Sequence, residues 1–132
     1  MANTHDDVVL MHNTMRIHGG RLEAYRSAVA RAVDFVREHG PQLMVEVFID
    51  EERLIGHSFQ LHAGSDSIRR HMAMSDPYIK GVMEHCEVVD FRVYGSVDTD
   101  ILALLPQGAA VLPRSTGFTR FPADAAGAAE RV

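Results

Sequence analysis

The stretch FQLHAGSDSIRRHMAMSDPYIKG, residues 59–81, changes its hydrophobic period part-way along. Its first residues close a run in which Ile55, His57, Phe59 and Leu61 alternate with Gly56, Ser58, Gln60 and His62, the two-residue period of a strand. From Ser65 the spacing lengthens: Ile68, His71 and Met72 fall on one side of a helix that Ser65 is placed to cap. Asp76 and Pro77 predict a bend or break at 75–77, and Ile79, Val82 and Met83 continue in a further turn. The stretch reads as strand, short link and broken helix. It also sets His62 at the strand's end and His71 inside the helix.

Toward the N-terminus, the polar tetrad DEER at 50–53 is a tight connection to LMVEVFI at 43–49. There Leu43, Val45, Val47 and Ile49 alternate with Met44, Glu46 and Phe48, so both faces of this strand are expected to be covered. A hairpin follows. Residues 21–39 repeat Leu22, Tyr25, Val29, Ala32, Val33 and Val36 at steps of three and four, an amphipathic helix that His39, Gly40 and Pro41 terminate. Before it, residues 8–17 put Val9, Met11, Met15 and Ile17 on one strand face, with Asn13 the polar exception, and HGG at 18–20 supplies the turn. Beyond the opening stretch, VVDFRVY at 88–94 alternates Val89, Phe91 and Val93 with Asp90 and Arg92.

The order is β-α-β-β-α-β. It predicts an α+β, ferredoxin-like fold, a four-stranded antiparallel sheet with both helices on one face and strands one and three adjacent in the middle. The other face, rich in apolar side chains, calls for a cover, and a second copy of the chain is the economical one, giving a homodimer. The ferredoxin-like domain takes residues 1–95. Residues 96–132 form a C-terminal extension with a short helix at DTDILALL. There Leu112, Phe118 and Phe121 either dock as an arm on a partner subunit or belong to a loosely packed tail.

Composition narrows the function classes. At 132 residues, 46% hydrophobic and 23% charged, the chain is long enough for one globular core. A net charge of −5 lacks the clustered cations that grip phosphate backbones, so no nucleic acid is expected. No apolar run suits a bilayer, the N-terminus MANTHDDVVL lacks a secretory pattern, and the single Cys86 can form no internal disulfide. These features predict a cytoplasmic protein without membrane association.

The segments VVLMHNTMRIHGGRLEAYRSAVARAV, LMVEVF and above all FQLHAGSDSIRRHMAMSDPYIKG resemble the antibiotic biosynthesis monooxygenase-like family of dimeric α/β barrels. The resemblance covers roughly residues 8–95. It implies that fold, a homodimer, and cofactor-independent oxygenation of an aromatic hydroxyl or quinol-like molecule. His71 stands at the family's helix histidine, Gln60 where an acidic residue is usual, and His62 where tryptophan is common; this chain has no tryptophan. In the haem-degrading branch Asn13 would match the strand asparagine. His71, however, occupies the tryptophan position, and residues 81–83 occupy the histidine position.

Eight histidines raise the question of metal. His57 and His62 are five apart on one strand and point to opposite faces, as do the neighbours His12 and Asn13, so no converging ligand set and no metal are expected. A cofactor-free oxygenase needs instead a base for a hydroxyl proton and donors for the resulting anion. His71, one turn after Ile68, should face the sheet, and Asn13 with either His57 or His62 could share a cleft with it beneath the helices. His71 is the candidate base and Asn13 its hydrogen-bonding companion, against a structural role for both. Met11, Met15, Met44, Met72, Met74 and Met83 could line a pocket for a flat apolar ligand or simply fill a core, and Tyr78 and Tyr25 could add a phenol at its edge. Arg69 and Arg70 are expected to face solvent, and Cys86 reads as a small apolar residue. Two other classes stay open: a non-catalytic module holding an apolar metabolite, and a haem binder with a histidine as axial ligand.

Overall fold

The computed structural model describes residues 8–74 and 77–120. In chain order it contains β1 (Val9–Ile17), α1 (Leu22–His39), β2 (Met44–Asp50), β3 (Ile55–His62), α2 (Ser65–Ala73), α3 (Ile79–Met83), β4 (Cys86–Tyr94), α4 (Thr99–Leu104) and β5 (Ala110–Leu112). The sheet order is β2-β3-β1-β4-β5. The first four strands pair antiparallel in the ferredoxin-like arrangement, with β1 and β3 adjacent as expected. A fifth strand was not anticipated. Residues 110–112 add parallel to β4, pairing Arg92 with Ala110 and Tyr94 with Leu112. Three exposed residues carry no readable period, which is why the sequence conceals β5.

Register decides what each face carries. In an antiparallel pair, facing residues project to the same side. Val9, Met11, Asn13 and Met15 face His62, Gln60, Ser58 and Gly56, and Val45, Val47 and Ile49 of β2 extend this row. The helices cover that side. At one end Tyr25, Ala28 and Ala32 of α1 pack with Met15, Ile17, Val82 and Cys86. At the other, Ile68 of α2 and Ile101 of α4 pack with Val9, Met11 and Val93. Between these clusters the sheet carries Asn13, Ser58 and Gln60, so its centre is polar where its ends are sealed.

Gly56 permits the first cluster to close. A Cβ there would lie 2.3 Å from the Tyr25 hydroxyl oxygen, so only a bare backbone admits the phenol. In the β2–β3 turn, Leu54 takes a φ of 57° and its carbonyl accepts the Ile17 N–H at 2.8 Å. Between β1 and β4 the register shifts from Thr14, which pairs with Asp90, to Met15, which pairs with Val88, leaving Val89 of β4 as the extra residue of a bulge.

Several local expectations change. Ser65 opens α2 but does not cap it; Gly64 holds the cap position, and the Ser65 hydroxyl accepts the Asp98 N–H at 3.0 Å. Arg69 is at the surface as expected but is tied down there: it pairs with Asp66, Asp98 and Asp100, fastening α4 to α2. Those carboxylates raise its pKa above the usual value. Phe48 is 56% exposed and Glu46 exposed, so the outer face of β2 is uncovered in the single chain. The helical segments do part between Ala73 and Ile79, although Asp76 itself lies outside the described residues. In the extension, Leu112 belongs to β5 and Phe118 is exposed beneath the Arg120 guanidinium at 4.7 Å; Phe121 lies outside the described residues.

Candidate functional site

A cleft of about 620 Å³, including its mouth, opens over the polar centre of the sheet. Its walls are Val29, Val33 and Val36 of α1 and Val45 and Val47 of β2, while Asn13, Gln42, Ser58, Gln60 and His71 supply its polar groups. Asn13 comes from the middle of β1, Ser58 and Gln60 from its neighbour β3, and His71 from the last turn of α2. Gln42 enters from the link before β2. Gly40 makes room for it, because a Cβ there would meet the Gln42 side-chain oxygen at 2.5 Å.

Hydrogen bonds orient this group. Gln42 Nε2 donates to Gln60 Oε1 and to His71 Nδ1, each at 3.0 Å. Asn13 Oδ1 is buried with no hydrogen-bonding partner in the protein. Asn13 and His71 therefore line one cleft, as the sequence suggested.

Of the two strand-three candidates, His62 is on this side and His57 is not. His62 is fully buried, with Nδ1 2.7 Å from Ser67 Oγ and its ring centroid 6.0 Å from that of His71. Burial, helped by the nearby His71, pushes its pKa down to about 4, so its imidazole is neutral at physiological pH. Its Nε2 is buried without a partner. His57 instead faces outward, where its Nδ1 lies 2.9 Å from His12 Nε2 and His12 stacks on Phe59. The odd spacing of His57 and His62 has its expected consequence, and His57 cannot touch a ligand in the cleft. Burial, then His57, lowers the His12 pKa.

The remaining candidates separate. Met15 lines the cleft as part of the core, whereas Met11 and Met72 line an adjoining cavity, Met72 being 45% exposed. Tyr78 is not in the cleft; it packs against Phe35 at 5.5 Å beside Arg31 and Asp34. Tyr25 is buried and donates to Met15 Sδ at 3.9 Å, and burial lifts its phenol to about 12. Cys86 is buried, donates to the Val82 carbonyl at 3.4 Å, and has its thiol pKa raised by burial, as suits a filler. Among the described residues no three His, Cys, Asp or Glu side chains converge as a metal-ion site. The sequence reading missed Gln42 and Ser67. Gln42 follows Gly40 and Pro41 in what reads as a mere link, and Ser67 is masked by Ser65 as the evident cap.

Buried neutral His62 makes stability depend on pH. Its folded pKa lies below the unfolded value near 6.5, so the unfolded chain takes up the proton first. The stability of neutral His62 is complete above about pH 6.5 and is lost as the pH falls toward about 4, amounting to roughly 3 kcal/mol over that window. Urea unfolding of wild type and His62→Gln between pH 7 and 4 should show the wild type losing more stability on acidification. Parallel curves would mean that His62 is not held neutral.

These elements build the fold of the antibiotic biosynthesis monooxygenase-like proteins, an α+β sheet carrying its helices on one face. Among solved structures, MupZ from Pseudomonas fluorescens superimposes with a TM-score of 0.73 at 15% identity, over 88% of this chain and 96% of MupZ. SnoaB from Streptomyces nogalater, a cofactor-independent oxygenase, gives 0.59 at 17% identity over 70% of this chain and 96% of its own. A candidate antibiotic biosynthesis monooxygenase from Caulobacter crescentus CB15 gives 0.58 at 13% identity over 71% of this chain and 93% of its own. At these identities the likeness is one of fold. No protein-family model matches the sequence, and no curated protein matches it. Among the described residues no helix is long and apolar enough to cross a membrane.

Proposed function

We propose that the protein is a cofactor-independent monooxygenase acting on an aromatic hydroxyl or quinol-like small molecule. The observation that supports this above others is the cleft in which Asn13 and an imidazole oriented by Gln42 meet amid valines. His71 removes the hydroxyl proton and Asn13 hydrogen-bonds to the substrate oxygen, while the apolar walls exclude water from the anion. For His71 to accept at Nε2, its Nδ1 must carry the other ring proton and donate it to Gln42. The Gln42 and Gln60 amides turn over together to present that acceptor. The substrate anion then passes an electron to dioxygen, the two radicals combine, and loss of water leaves a quinone. A phenol loses two hydrogens and gains one oxygen, and the second oxygen atom departs as water.

An oxygen electrode with a panel of quinols and phenols tests this. Enzyme-dependent uptake with stoichiometric quinone is expected. No uptake with any member, together with a small molecule that co-purifies, would make the protein a binding module instead.

The same reading has two copies of the chain packing their outer sheet faces together. Leu10, Phe59 and Leu61 lie with Phe48 on that face, and a second sheet would take them out of water. SnoaB and the other structures share the fold that such a dimer uses. Light scattering at micromolar concentration is expected to give twice the chain mass; a single-chain mass would remove the dimer.

A further inference from the structure

The geometry points to a ligand with two apolar arms and a hydroxyl at its middle, uncharged, lying across two joined lobes. This rests on the cleft being the ligand site, as proposed above, and adds the class of molecule it takes.

A second cavity, about 990 Å³ with its mouth, adjoins the cleft. Asn13, Gln60, His71 and Ile79 line both and stand at their common boundary, the waist at which the inferred ligand crosses from one lobe to the other. Away from the waist each lobe is mainly apolar. Val29, Val33, Val45 and Val47 wall the first, and Ile68, Phe91, Leu104 and Leu105 wall the second. The second lobe depends on the extension, because Leu104 and Leu105 come from α4 and its end.

Polar groups thus gather where the lobes meet. Asn13 Oδ1 and His62 Nε2 are buried without partners in the protein, and both residues line the second lobe, Asn13 at its junction with the first. A buried acceptor favours a ligand that brings a donor, and a hydroxyl at the waist supplies one. No Asp, Glu, Lys or Arg lines either lobe among the described residues, so a carboxylate or ammonium in the ligand would be desolvated with no fixed counter-charge, and an anion would find one only where a histidine takes up a proton. A single ring with a terminal hydroxyl fills one lobe. A molecule with hydrocarbon on both sides of its hydroxyl fills both.

Three probes of similar size separate these cases. Diphenylmethanol carries its hydroxyl between two rings, its isomer 4-biphenylmethanol carries it at one end, and diphenylacetate places a charge in the middle. The methionines report the lobes: Met15 and Met83 line the first, Met11, Met72 and Met74 the second, while Met44 faces the other side of the sheet. With methionine methyls labelled with carbon-13 in the full chain, diphenylmethanol should shift signals of both lobes along one saturation curve and leave Met44 in place. It should bind at least tenfold more tightly than 4-biphenylmethanol, and diphenylacetate at pH 7.5 should bind more weakly than either. Shifts confined to one lobe, equal or reversed affinities of the isomers, or preferred binding of the carboxylate would overturn the proposal. The readout needs no turnover, so a protein that consumes no oxygen can still pass, and an oxygenase can still fail.

Discussion

Replacing His71 by alanine should lower quinol-dependent oxygen uptake at least a hundredfold while leaving the chain folded. A positioned general base contributes roughly 10²–10⁴ in rate, and its loss removes that factor from the chemical step. The side chain is only half-buried at the end of a short helix and belongs to neither core cluster, so stability should change little. The loss should appear in kcat more than in KM, because the valine walls that hold the rings are untouched. Added imidazole should restore part of the rate, since the truncated side chain leaves a place for a diffusible base. Equal uptake by wild type and variant would take His71 out of the chemistry and leave its contact with Gln42 as structure.

Gly56→Ala is expected to destabilise the fold by about 1–3 kcal/mol, the usual cost of overpacking a core. The added methyl would lie 2.3 Å from the Tyr25 oxygen and 2.9 Å from the ring carbon that bears it. Tyr25 is fully buried among Met15, Ala28 and Ala32 and has little room to withdraw. Tyr25→Phe alone should cost less, since it removes only a long hydroxyl-to-sulfur contact of 3.9 Å. The double variant should recover part of the loss, because the closer of the two clashes disappears with the oxygen, giving a coupling on the order of 1 kcal/mol in urea unfolding. Strict additivity of the two changes would mean that the alanine is accommodated without meeting the phenol.

The alternation of Val9, Met11, Met15 and Ile17 predicted the buried face of β1, and all four are buried. The spacing of Tyr25 and Ala32 likewise marked the packed face of α1. Even the separation of His57 from His62 was legible, because an odd count along a strand sends side chains to opposite sides whatever the rest of the chain does. Asn13 was legible for the same reason, as a polar residue in an otherwise apolar row. Tyr78 went astray because helical spacing tells which residues share a side but not where the loop between two short helices carries them. Gln42 was invisible: its place beside His71 depends on a link of chain and on the space left by Gly40.

Local periodicity by itself determined the four antiparallel strands, the two main helices, their order and the sheet's apolar rows, since these depend on side-chain spacing within a few residues. Tertiary packing alone decided that β5 joins the sheet, that Arg69 anchors α4, and that Gln42 and Gln60 orient His71. Each of those contacts joins residues distant in sequence, and its geometry is set by how far two packed elements approach, a quantity that no pattern along the chain encodes.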